Sequence, residues 1–266
     1  MKKILFISIL CAYTMISFSQ MITRMESLQS LYLEVCKDGK TIGSATGFII
    51  KSKTQNYLVT NYHVVTNKNP SNKKWLNPNN MVSPNEIYIM HNGEKLGEYN
   101  PKVERLIKNN GKPLWFEFKI DDATADVVAL PLKDTLNISI FPIIYKSRYD
   151  TLLKLIPTDV VYVLGFPKGV HSAPFMPIWK SGIISSEPDI NQENKPIMWI
   201  DVNGVGGMSG APVYFISNRY YDKSGASNIV SNQISVFLGI FSHGENDVFG
   251  ALWKAQYLKD LFDKLP

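Results

Sequence analysis

Cysteine is almost missing: 266 residues hold two, Cys11 and Cys36. That excludes a disulfide scaffold, so the fold must rest on its apolar core. Histidine is scarce too, and none of the four forms a His-x-x-x-His pair around a glutamate, so no metal is expected. Charge is thin: 19% of residues are charged and the net charge is +5. Basic runs such as Lys73-Lys74 are short and not interleaved with aromatics, which argues against a nucleic-acid surface. No internal repeat and no low-complexity tract is present.

What is there begins with a leader. Lys2-Lys3 is followed by the apolar run Ile4 to Phe18, and Ser17-Phe18-Ser19 offers small residues at the two positions that a signal peptidase inspects. The run is short for a membrane span, which needs about 20 apolar residues. Residues 1–19 therefore read as a signal peptide cut before Gln20. They imply a secreted or periplasmic protein with no membrane partner once the signal is gone. Cys11 leaves with the leader, because the apolar run continues well past it and a lipoprotein site does not. Cys36 lies in the pattern Leu31-Leu33-Val35 and reads as an inert packed thiol.

The rest reads as all-β, with short strands joined by Gly, Asn and Asp turns. Strands are expected at Leu31 to Cys36, Thr41 to Lys51 and Tyr57 to Thr60, with a tight hairpin at Asp38-Gly39. Asn67 to Asn85, rich in Asn, Pro and Lys, is expected as a surface loop. Glu86 to Met90 and Lys95 to Tyr99 are expected as strands around a turn that leaves His91 solvated. Pro101 to Pro113 could hold a helical turn. Leu114 to Ile120 and Val127 to Leu132 complete the first half, and Asp134 to Tyr149 is an irregular connection. Later strands are expected at Asp159 to Gly165, Trp179 to Ser186, Met198 to Val202, Ala211 to Ile216 and Ile234 to Ser242, with Asn218 to Asn232 as a polar hairpin loop. Leu252 to Leu265 carries Leu258, Leu261, Phe262 and Leu265 at the spacing of one buried helical stripe. The expected divisions are a β unit over residues 20–145 and a second over 146–266 that ends in this helix.

The chemistry centres on Gly206-Gly207-Met208-Ser209-Gly210-Ala211-Pro212. Glycines on both sides of a serine permit a sharp turn that lifts the hydroxyl out of the chain. The same turn can aim the Gly207 and Ser209 amides at one point, where an oxyanion would form. Serine acyl transfer also needs a base for the hydroxyl proton and an acid that fixes the base's tautomer. His63, just past an apolar strand, and Asp126, at the mouth of Val127-Val128-Ala129-Leu130, supply one of each. His171 sits in a loop, with no such setting.

Thr60-Asn61-Tyr62-His63-Val64-Val65, Asp126-Val127-Val128-Ala129-Leu130 and Gly207-Met208-Ser209-Gly210-Ala211-Pro212 together resemble the three catalytic motifs of trypsin-like, chymotrypsin-fold serine peptidases. Gly43-Ser44-Ala45-Thr46-Gly47-Phe48-Ile49-Ile50 also resembles the strand before the histidine in bacterial glutamyl-endopeptidase and HtrA-type members. The resemblance covers residues 30 to 264. It implies two six-stranded antiparallel β-barrels with the active site between them. His63 would be the base, Asp126 its orienting acid and Ser209 the nucleophile, with the oxyanion hole at Gly207 and Ser209. Ser242-His243-Gly244 would pair with a peptide substrate, and Asn203 would lie near the specificity pocket. The partner implied is a polypeptide, with no cofactor.

Three departures from the family pattern narrow this. Met208 replaces the aspartate that receives a newly cut N-terminus in pancreatic-type members, so that activation switch is expected to be absent. Phe241 replaces the histidine of glutamate-cleaving members. Asn203 replaces the acid that a preference for Lys or Arg would want. The chain is also expected to work as a lone catalytic domain, because little sequence follows the terminal helix. Two rivals differ in class. An α/β-hydrolase elbow, with Asp222 and His243, would need a helix where Pro212-Val213-Tyr214-Phe215 favours a strand. A secreted binding module on a silent protease scaffold would show a lost triad member, and all three residue types are present.

Overall fold

A computed structural model describes residues 23–120, 123–243 and 249–266. The leader expected over residues 1–19 lies outside the described residues. The chain forms two antiparallel sheets. The first half runs α1 (Met25–Gln29), β1 (Ser30–Lys37), β2 (Lys40–Ser52), β3 (Gln55–Thr60), α2 (Tyr62–Thr66), β4 (Glu86–Asn92), β5 (Tyr99–Arg105), β6 (Phe116–Ile120) and β7 (Ala123–Pro131). The second runs α3 (Tyr149–Leu152), β8 (Leu153–Lys154), β9 (Val160–Gly165), β10 (Ile178–Ile184), β11 (Ile197–Asp201), β12 (Pro212–Asp222), β13 (Ser227–His243), β14 (Gly250–Lys254) and α4 (Ala255–Asp263).

In the first sheet the order is β5-β4-β1-β2-β3-β7-β6, and in the second β13-β14-β11-β10-β9-β12-β8. A further ladder joins β12 to β13, so β9 to β14 close into a barrel of six strands and two-residue β8 hangs from β12. The first sheet reaches seven because β6, mostly exposed, pairs only with β7 as an outer arm. The hairpin between β1 and β2 turns through Asp38 and Gly39, both at positive φ (49° and 74°), the geometry a two-residue primed turn demands.

Why the strands carry unbroken apolar runs follows from their alternation. Successive strand side chains point to opposite faces. In β2, Ile49 enters the core of the first sheet while Phe48 and Ile50 enter a core between the sheets. In β3, Leu58 goes one way and Tyr57 and Val59 the other, and β7 divides Val128 and Leu130 from Val127 and Ala129 likewise. From the second sheet, Leu164, Tyr214, Phe237 and Trp253 meet the same inter-sheet core, while Val163, Val213 and Phe241 fill the barrel. Both faces are buried, so neither can be polar. Leu258, Phe262 and Leu265 of the terminal segment pack into the inter-sheet core, as the helical stripe predicted. Polar ties cross it as well: Ser30 Oγ donates to the Leu164 carbonyl (2.7 Å) and Tyr214 Oη to Gln29 Oε1 (2.8 Å).

The structure departs from the sequence reading in four places. β4 continues to Asn92, so His91 is a buried strand residue, 1% exposed, rather than a solvated turn residue. The segment expected as a strand at Lys95 to Tyr99 is mostly loop, and the strand begins at Tyr99, where a helical turn could have followed. The expected loop from Asn218 to Asn232 is largely a β-ribbon, because β12 and β13 keep pairing from Arg219–Ile229 to Tyr221–Ser227. Finally, Leu252 to Lys254, expected within the helical stretch, belong to β14, which pairs with β11 and β13, and the helix starts at Ala255.

Candidate active site

His63 stands in α2, a single helical turn at the end of β3, and Asp126 lies within β7, the neighbour of β3. The β3–β7 ladder aligns Thr60 with Val128, which brings the following histidine beside the carboxylate. His63 Nδ1 lies 2.7 Å from Asp126 Oδ2, and the His63 backbone amide donates to Oδ1 at 3.0 Å. Ser242 Oγ, from β13 in the other sheet, donates to Oδ2 at 2.5 Å. Asn61 Nδ2 donates to the Asp126 carbonyl at 2.7 Å and fixes the strand to the turn.

Asp126 is 5% exposed. Burial pushes its carboxyl up, but the His63 charge and the hydrogen bonds from His63, Ser242 and the His63 amide outweigh it and hold it below the ordinary value. An ionised carboxylate only accepts hydrogen bonds, so the proton between the pair sits on His63 Nδ1. Nε2 is then the basic nitrogen, and it makes no hydrogen bond among the described residues.

Ser209 lies in the turn before β12, between Gly207 (φ 91°) and Gly210 (φ 87°). Both positions require glycine. A Cβ on Gly207 would come within 2.3 Å of the Phe166 carbonyl oxygen, and one on Gly210 within 2.1 Å of the Thr46 carbonyl oxygen. Every carbonyl from Gly206 to Ser209 is engaged. Lys168 N donates to Gly206 O (2.6 Å), Thr46 Oγ1 to Gly207 O (2.7 Å), Ala211 N to Met208 O (3.0 Å) and Thr46 N to Ser209 O (2.9 Å). The Gly207 and Ser209 amides, by contrast, donate to no acceptor among the described residues. Two unspent N–H groups flanking a serine are what an anionic tetrahedral oxygen needs.

His63, Asp126, Gly206, Ser209 and Ser242 line one open cleft of about 640 Å³. No hydrogen bond joins Ser209 to His63, a contact that often tightens only when substrate binds. Asn69, Pro70, Ser71 and Leu76 of the long loop form one wall of the cleft, and Ile197, Trp199, Ala251 and Trp253 of β11 and β14 form another. The sequence reading had named none of these wall residues. The tryptophans alternate correctly for one sheet face, but no signal in the chain said which cleft that face met.

Other expected residues fall out differently. Asn203 is exposed and outside the cleft lining, and its carbonyl accepts from Lys180 Nζ. The Ser242 side chain serves the carboxylate. The backbone of His243 continues β13, and Gly244 lies outside the described residues. Met208 and Phe241 are fully buried in the second barrel, with the Phe241 ring against Gly250. His171 is exposed and stacks on Phe175. Cys36 is buried, and burial raises its thiol pKa, which suits an inert packed group.

An imidazole paired with a carboxylate, a serine lining the same cleft and two open amides are the groups that nucleophilic acyl transfer calls for. The family model of the trypsin-like peptidase domain matches residues 45–219, a span that holds His63, Asp126 and Ser209. The chain belongs to that family. No curated protein matches it. Among solved structures it is similar to a serine endoprotease from Yersinia pestis, at 15% identity and a TM-score of 0.47 over 90% of this chain. The match spans 62% of the length of that endoprotease. It is also similar to a protease from M. tuberculosis in its active form, at 16% identity and a TM-score of 0.47, covering 88% of this chain and 79% of the other.

Proposed function

We propose that the protein is a secreted serine endopeptidase acting through His63, Asp126 and Ser209. The observation that carries the reading is the 2.7 Å His63–Asp126 pair facing the cleft that Ser209 also lines. Ser209 Oγ attacks the scissile carbonyl while His63 Nε2 takes its proton. Asp126 stabilises the resulting imidazolium without itself being protonated. The Gly207 and Ser209 amides take the negative charge on the carbonyl oxygen. His63 then protonates the leaving amine, and water, activated by the same nitrogen, releases the acyl group from Ser209.

Export follows from the leader at residues 1–19, and the mature chain would begin at Gln20. No helix among the described residues is long and apolar enough to cross a membrane. N-terminal sequencing of the exported protein checks the cut. For the activity, purified protein is incubated with a quenched-fluorescent peptide library. The reading expects cleavage that disappears in Ser209→Ala with the melting temperature unchanged. A folded wild-type protein that cleaves nothing would favour the binding-module alternative.

A further inference from the structure

The residue that ties the serine turn to the rest of the molecule is not in the triad. Thr46, in β2 of the first sheet, is fully buried, and all its polar groups are spent on this one junction. Its hydroxyl donates to Gly207 O (2.7 Å) and accepts from Phe166 N (3.1 Å). Its amide donates to Ser209 O (2.9 Å), and its carbonyl accepts from Thr60 Oγ1 (2.8 Å), three residues before His63.

We infer that the Thr46 hydroxyl is a positioning group for the oxyanion hole, holding the turn in the shape that leaves the Gly207 and Ser209 amides open. A trans peptide points its N–H opposite its C=O, so fixing a carbonyl aims the neighbouring amide. The Gly207 N–H is aimed by Gly206 O, which Lys168 N holds at 2.6 Å. Lys168 belongs to the turn that begins at Phe166. One hydroxyl therefore binds the Gly207 carbonyl and the turn that grips Gly206, so both peptides around Gly207 are held at once. The Met208 side chain is buried among apolar groups, so the next peptide is held by its backbone alone: Met208 O, which aims the Ser209 N–H, accepts from Ala211 N (3.0 Å), and Met208 N donates to Val205 O (3.2 Å). The site is shaped to admit the hydroxyl: a Cβ on Gly165 would lie 2.9 Å from Thr46 Oγ1.

The inference rests on the proposed peptidase reading, and its test separates the two. Thr46→Val keeps the shape and the backbone hydrogen bonds but deletes the hydroxyl, whereas Thr46→Ser keeps the hydroxyl. Loss of a single oxyanion donor costs about 10²- to 10³-fold in kcat, so partial misalignment in Thr46→Val is expected to cost roughly ten- to hundred-fold with KM little changed. Affinity for a peptide boronic acid, which needs the hole, should fall in step, while affinity for a product peptide holds. Thr46→Ser should stay within about threefold of wild type. Equal kcat in wild type and Thr46→Val, or equal losses in the Val and Ser variants, would overturn the inference. Amide hydrogen exchange needs no turnover. At Gly207 and Ser209 it should change in Thr46→Val and not in Thr46→Ser, and identical exchange in both would refute the positioning role even if no substrate were ever found.

Discussion

The first half of the chain holds two histidine environments, one beside an open cleft and one buried, and they are opposites. At His63 every heteroatom of the neighbouring carboxylate is engaged, by the imidazole, by a backbone amide and by Ser242. At His91 on β4, with β1 and β2 between it and β3, neither ring nitrogen has a hydrogen-bond partner among the described residues, and the buried Tyr99 hydroxyl has none there either. Burial alone therefore does not make a functional histidine. What distinguishes His63 is a charge partner on one nitrogen and an open cleft beside the other. His91 is held neutral: burial, and then the positive Lys102, push it down to about 4, against a smaller opposing pull from Asp134.

The largest effects should come from the satisfied site. Replacing Ser209 or His63 by alanine is expected to lower kcat by about a million-fold, with little further loss in the double variant, because the groups act as one unit. Additive losses in steady-state kinetics would break the unit apart. Asp126→Asn should cost about 10⁴-fold, since an amide can donate to Nδ1 and so favours the tautomer with its proton on Nε2. A loss below tenfold would mean that the carboxylate does not set the tautomer. Ser242→Ala removes one hydrogen bond to a buried charge and is expected to cost roughly 2 kcal/mol in urea unfolding at neutral pH.

A pH-dependent effect, absent at neutral pH, sharpens the other side of the comparison. His91 binds its proton more readily in the unfolded chain, whose ordinary value is 6.5, than in the fold at about 4. Between those values the unfolded state holds more protons, so stability falls as pH drops from 6.5 to 4, by up to about 3 kcal/mol. Above 6.5 the effect is absent. His91→Leu should flatten this part of the stability–pH curve and leave neutral-pH activity unchanged. An unaltered slope would show that His91 is not the group responsible.

The residues of the candidate site were easier to pick out in the sequence than the strand partners that hold them, for local reasons. His63, Asp126 and Ser209 each sit beside an apolar run or a glycine turn, so their settings could be read within a few residues. The inter-sheet core was legible only as unbroken apolar strands such as Phe48-Ile49-Ile50, whose two destinations depend on partners far along the chain. The β12–β13 ribbon was missed because its outer part, around Arg219 to Ser227, is largely exposed and polar, so it lacks the alternation that marks a half-buried strand. His91 was misplaced because Asn92-Gly93 signals a turn, whereas Asn92 still pairs with Tyr99 across β4 and β5. Thr46 was visible only as one residue of the motif before the histidine, since its role appears only when two sheets meet.

One measurement bears most directly on the proposed unit of histidine, aspartate and serine. The folded protein is treated with a fluorophosphonate, and the adduct is located by peptide mass spectrometry. A single adduct on Ser209, formed in wild type and suppressed in His63→Ala, is the expected result. An adduct on another residue, or undiminished labelling of Ser209 without His63, would contradict the account.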